Sequence, residues 1–80
     1  NNAPYDFPVY FNGGDWNLRF VGCTFTKAAY TTPEYERALR LAASTTGTVT
    51  FEGWNLLNGQ RIENVNQIWN DSNMNIVFLP

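Results

Sequence analysis

The segment Thr31 to Gly47, TTPEYERALRLAASTTG, constrains the chain more than any other, because the start, body and stop signals of a helix follow one another along it. Thr32 can cap the first turn, its hydroxyl accepting from an amide with no intrahelical partner, and Pro33 fits the first helical position, where no donor is required. Glu34 and Glu36 set negative charge at the positive end of the macrodipole, and Glu36 and Arg40 stand four apart in the favourable order, each effect worth about 0.3 kcal/mol. Tyr35, Ala38, Leu39 and Ala42 recur on one helical face with Leu41 on its flank. Ser44, Thr45 and Thr46 form helix poorly and Gly47 can take the left-handed conformation, so a helix is predicted over about 33–44. A helix of that length is marginal alone and must be held by packing.

The remainder reads as strands. Residues 1 to 7 form an extended arm, bounded by Pro4 and Pro8. Val9-Tyr10-Phe11 is a short edge strand, and Asn12-Gly13-Gly14-Asp15 is predicted to be a hairpin loop. Trp16 to Thr26 alternates with apolar groups on both faces, which predicts a central strand, and Lys27 to Thr31 leads to the helix. Thr48 to Phe51 alternates with Val49 and Phe51 inward, and a bulge at Gly53 would return Trp54 and Leu56 to the same face. Asn58-Gly59 predicts a two-residue hairpin turn pairing Leu57 with Gln60, Leu56 with Arg61 and Trp54 with Glu63. A competing pattern, Ile62, Val65, Ile68 and Trp69 at helical spacing, would make about 60–70 a second helix, but Asn64 and Asn66 are poor helix interiors and the hairpin is preferred. Asp71-Ser72-Asn73 is a turn, and Asn75 to Leu79 a final, continuously apolar and hence central strand. No internal repeat stands out. The expected fold class is α+β, a two-layer sandwich with one helix on a mainly antiparallel sheet of four or five strands, in the order ββαβ(β)β, or ββαβαβ if 60–70 is helical.

Eighty residues make one small domain, 1–80, with thirteen aromatic residues to furnish its core. A formal net charge of −2 supplies no phosphate-neutralising surface, so nucleic acid is not an expected partner, and no apolar run is long enough to predict a membrane span. Cys23 is alone, so an intrachain disulfide is impossible and the thiol is expected to act as a small buried apolar group. The chain begins without Met and is rich in Asn and Thr, a composition that points to an extracellular protein.

Chemical equipment is sparse. The chain has no histidine, which removes the commonest general base and metal ligand, and it has no glycine-rich loop followed by lysine; neither metal nor cofactor is expected. Asp15, and Asp71 with Asn70 and Asn73, offer oxygen ligands without a calcium-loop spacing. The hairpin register would set Glu52 and Glu63 on neighbouring strands beside Trp54, the minimum equipment of a small glycoside hydrolase, but a domain of this size rarely builds the shielding cleft such chemistry needs. The expectation is therefore a non-enzyme that binds through Trp16, Trp54, Trp69, Tyr10 and Tyr5, because Trp and Tyr give large rigid contact area at low entropic cost. A secreted protein-interaction domain, an effector, inhibitor or assembly subunit with a protein partner or self-association, is the first reading. The alternative is a carbohydrate-binding module in which Trp16 and Trp54 stack on sugar rings while Asn17, Asn55 and Asn64 read hydroxyls of a glycan.

Overall fold

The computed structural model describes residues 9–26 and 36–80, and among them there is no α-helix. The chain winds through three small sheets in turn. A first coil contributes β1 (Val9–Phe11), β2 (Gly14–Val21) and β3 (Thr24–Phe25), one strand to each sheet. A second coil lays β4 (Leu39–Leu41), β5 (Thr45–Glu52) and β6 (Leu56–Leu57) parallel to these. A third adds β8 (Trp69–Asn70) beside β4 and β9 (Asn75–Leu79) beside β5. This is a parallel β-solenoid, each coil one layer of a stack, and not the α+β sandwich that the local signals predict. The antiparallel pair that does occur joins β6 to β7 (Gln60–Arg61), which takes the place beside β6 that a third parallel strand would fill.

The stack exists because the inward residues match from coil to coil. Leu18, Val49 and Ile76 are in register, and so are Phe20, Phe51 and Phe78, whose rings stack at centroid distances of 5.3 and 5.6 Å with interplanar angles of 20° and 17°. Such pairs contribute about 0.5–1.5 kcal/mol each beyond the area they bury. The middle coil is sealed by both neighbours, so Leu39, Leu41, Val49 and Phe51 are buried, while Leu18, Phe20, Ile76 and Phe78 in the outer coils are half-buried.

Two buried polar side chains of the middle coil hold the corners, where strands end and backbone groups lose their ladder partners. At the first corner, Thr45 Oγ1 accepts from the Gly13 amide at 2.9 Å and donates to the Phe11 carbonyl at 3.2 Å. At the second, Asn55 is fully buried; its Oδ1 accepts from the Cys23 amide at 2.9 Å, and its Nδ2 donates to the carbonyls of Phe20 and Glu52 at 3.0 and 3.2 Å. Each corner residue thus fastens the coil before it to its own.

Several expectations are corrected by this architecture. The helix at 33–44 is overturned where the residues are described: Leu39–Leu41 is a strand with Leu39 and Leu41 inward and Arg40 outward, followed by a turn at Ala43 and Ser44. Parallel pairing on both sides of β4, burying both leucines, outweighs helix propensities of a few tenths of a kcal/mol per residue. The second helix at 60–70 is replaced by β7, a single 3₁₀ turn over Val65–Gln67, and β8. Asn12-Gly13-Gly14-Asp15 is a corner, since β1 and β2 belong to different sheets. Gly53, at φ +72°, also turns a corner, and Trp54 points to solvent instead of returning to the Val49 face. The central strand of its sheet is β5, with β2 and β9 flanking it. The Asn58-Gly59 hairpin holds, with the expected pairs Leu57–Gln60 and Leu56–Arg61 and positive φ at both turn residues, whereas Trp54 and Glu63 lie beyond the ladder. The arm at 1–7, with Tyr5, and the connection at 27–31 fall outside the described residues, as does the start of the expected helix at 33–35.

Candidate functional site

The solenoid is tight at two of its corners and extended at the third. Between β3 and β4, and again between β6 and β8, the chain makes long connections at the same corner of successive coils. Insertions that recur at one place in a solenoid collect on one face, which is often the binding face. Here they meet: Ala38 N donates to Gln67 O at 2.8 Å, and Asn58 Nδ2 donates to Glu36 Oε2 at 3.0 Å.

The second insertion is shaped by Gln67. Its Oε1 accepts from the amides of Glu63 and Asn64 at 2.8 and 3.0 Å, and its Nε2 donates to Arg61 O at 2.9 Å. That curls 61–67 into a loop standing beside Trp54, and an open groove of about 570 Å³ lies between them. Trp54 and Arg61 line it with Glu63 and the amides of Gln60, Asn64, Asn66 and Gln67. The Arg61 guanidinium lies over the indole, 4.6 Å from the ring centroid, yet Trp54 remains 66% exposed, so one face is covered by a cation and the other is open. The side chains of Gln60, Asn66 and Glu63 have no hydrogen-bond partner among the described residues and point their donors and acceptors to solvent.

A second, smaller groove of about 260 Å³ adjoins the first through Asn66, which lines both. Trp69 lies in it with Arg37, Asn70 and Asp71, the indole Nε1 donating to Asp71 Oδ2 at 3.0 Å and Arg37 standing 5.8 Å from the ring centroid. On the outer face of the same sheet Arg40 pairs with Trp69 on one side and Tyr10 on the other, its guanidinium 5.2 Å from the Tyr10 ring. The structure therefore brings Trp54 and Trp69 into adjoining grooves and links Tyr10 to the second through Arg40.

Trp16 lines neither groove. Its ring packs edge-on against Phe11 at 5.3 Å, and its Nε1 donates to Gly13 O at 2.8 Å, so it closes the first corner although 43% of it is exposed. Of the three asparagines expected to read hydroxyls, Asn64 lines the groove, Asn17 stands on the outer face of β2 opposite Thr48, and Asn55 is excluded by its burial. Nor do the two acids converge: Glu52 is on the outer face of β5, ion-paired with Arg19 at 2.7 Å, and only Glu63 faces the groove. Cys23 is half-buried against the core, and among the described residues no three acids or thiols cluster as metal ligands.

No family model, curated protein or solved structure matches the chain. Function has to come from the grooves themselves. The residues that sequence reasoning passed over there are Arg61, Gln60, Asn66 and Gln67. The Asn58-Gly59 register was their signal, since pairing Arg61 with Leu56 brings the residues after it alongside Trp54.

Proposed function

We propose that this face of the solenoid binds a glycan. The observation that carries the reading is the open indole face of Trp54 in a groove whose other walls are amides, one guanidinium and one carboxylate. A sugar ring presents an apolar C–H face, which buries well on an indole, and a rim of hydroxyls that both donate and accept. Asn and Gln side chains match those hydroxyls because each carries an acceptor and two donors. The adjoining groove with Trp69 extends the platform, which suits a chain of several rings over a single one.

Titration with a panel of oligosaccharides should quench or shift tryptophan fluorescence. In the Trp54→Ala variant the affinity should fall about 30-fold, as for removal of a buried aromatic contact worth roughly 2 kcal/mol. Trp16→Phe should leave the affinity unchanged, since Trp16 lines neither groove. Equal losses in both variants, or none in Trp54→Ala, would place the ligand elsewhere.

A second reading, protein association, is favoured by β9. Among the described residues it pairs with β5 alone, and Leu79 at its end is exposed, so an extended partner segment could add to this edge. Light scattering that shows a monomer over a wide concentration range would dispose of self-association by that route.

A further inference from the structure

Resting on the glycan reading, we propose that the sugar chain is acidic: one ring lies on the open face of Trp54, and the carboxylate of a neighbouring uronate in the same chain is held by Arg61 at the edge of the indole.

Arg61 has five N–H donors, and among the described residues they meet one long hydrogen bond, Nη2 to Gly53 O at 3.4 Å. Among the described residues its Nε is buried without an acceptor, and no carboxylate of theirs stands within ion-pair distance of it. The charge is therefore brought to the groove without a counter-ion from the described residues, and stacking on Trp54 holds the planar fork beside the indole. A planar fork of this kind is matched by a carboxylate, which can take two parallel N–H bonds from it. Because the guanidinium and the stacked ring lie on opposite faces of the indole, the carboxylate belongs to the next ring of the chain, which reaches Arg61 past the edge of Trp54 in the groove that both residues line.

Glu63 sets the charge density. It lines the same groove as an acid with no ion-pair partner among the described residues, so a ligand with several negative charges per ring would be repelled, whereas one carboxylate per ring can sit on Arg61 and leave ring hydroxyls to donate to Glu63. That selects a polyuronate over a heavily sulfated chain. Arg61 is a specificity residue in this scheme, and its backbone carbonyl, which accepts from Gln67, is unaffected by changes to its side chain.

The test compares oligomers of galacturonate, glucuronate, mannuronate and guluronate with their carboxyl-reduced counterparts, which keep the ring and linkage and lose only the charge. At least one uronate should bind about tenfold tighter than its reduced form, and raising the salt from about 0.05 to 0.5 M should erase most of that difference. Arg61→Gln, with its fold checked by circular dichroism, should bind both forms alike, and Arg61→Lys should keep part of the preference because it restores charge without the fork. If neutral and acidic forms bind equally to the parent chain, or a sulfated oligomer binds where no uronate does, the assignment to a uronate falls while the glycan site stands. If no sugar of either kind binds, the glycan reading falls with it.

Discussion

Gly47→Ala should detach the first coil from the second, lowering stability by about 4 kcal/mol or more. Gly47 sits in β5 at φ +112° directly opposite Trp16, and a Cβ there would lie 1.8 Å from the Trp16 carbonyl oxygen. The conformation alone costs a non-glycine residue roughly 1–3 kcal/mol. The clash is worse, because the obstacle is backbone within the eight-residue β2–β5 ladder and cannot rotate away. A domain of this size holds only about 4–12 kcal/mol in total, so much of the population would lose the ladder. Gly53→Ala is the control: φ is +72° but nothing lies within 4 Å of the added carbon, so only the backbone term of about 1 kcal/mol applies. Urea unfolding of the two variants separates steric overlap from conformational strain. Similar midpoints would show that coil 1 does not approach coil 2 as closely as the structure has it.

The second large effect is expected at Asn55, where one buried amide serves three backbone groups in two coils. Asn55→Ala leaves the Cys23 amide and two carbonyls without those bonds in a dry site, and should cost about 3 kcal/mol, at roughly 1–3 kcal/mol for the orphaned donor and less for each carbonyl. Asn55→Asp adds a dependence on pH. The new carboxyl would face the carbonyls of Phe20 and Glu52, which need a donor, so the folded state favours its protonated form and raises its pKa above the unfolded value of about 3.9. A group whose folded pKa is raised contributes stability below the unfolded pKa and loses it as pH climbs through the folded one. Relative to the parent protein at the same pH, Asn55→Asp should therefore lose about 1 kcal/mol near pH 3.5, where its single carboxyl O–H replaces one of the two amide donors, and be strongly destabilised at pH 7. A deficit that stays constant across that range would mean the side chain is hydrated, against its burial.

How much of this was legible depends on the range of the interaction. The Asn58-Gly59 turn and its register were readable, because a two-residue loop with two positive φ angles admits few residue types. The inward pair Val49 and Phe51 followed from strict alternation. The repeat was present but disguised. Leu18-Arg19-Phe20-Val21-Gly22 and Val49-Thr50-Phe51-Glu52-Gly53 share an aliphatic-X-Phe-X-Gly pattern, and Ile76-Val77-Phe78 repeats its first part. Phe20 pairs with Phe51, 31 residues on, but Phe51 pairs with Phe78, only 27 on, because the corner insertions differ in length. A search for a fixed period misses such a repeat, while one for the pattern itself would find it.

The ALRLAA stretch shows the opposite case. Read locally, alanines, leucines and arginine favour a helix; read as Leu39-Arg40-Leu41 they alternate just as well, and three residues cannot distinguish the two periods. What decides is the presence of β1 and β8 on either side, thirty or so residues away in the chain. The same applies to the site. That Trp54 and Trp69 would serve as contact residues was a reading of residue type; that they share a face, and that Trp16 and Asn55 do not, depends on where the insertions of successive coils meet.

By itself, then, the amino-acid sequence determined the turns, the alternating strands, the aromatic surplus and the poverty of catalytic groups, all of which are properties of neighbours along the chain. The tertiary structure alone decided that the strands stack in parallel, that Asn55 is a buried fastener and that Arg61 stands beside an open indole. Those features arise from pairing between residues about thirty apart, where burial and ladder hydrogen bonds exceed the small local preferences that a single stretch can express.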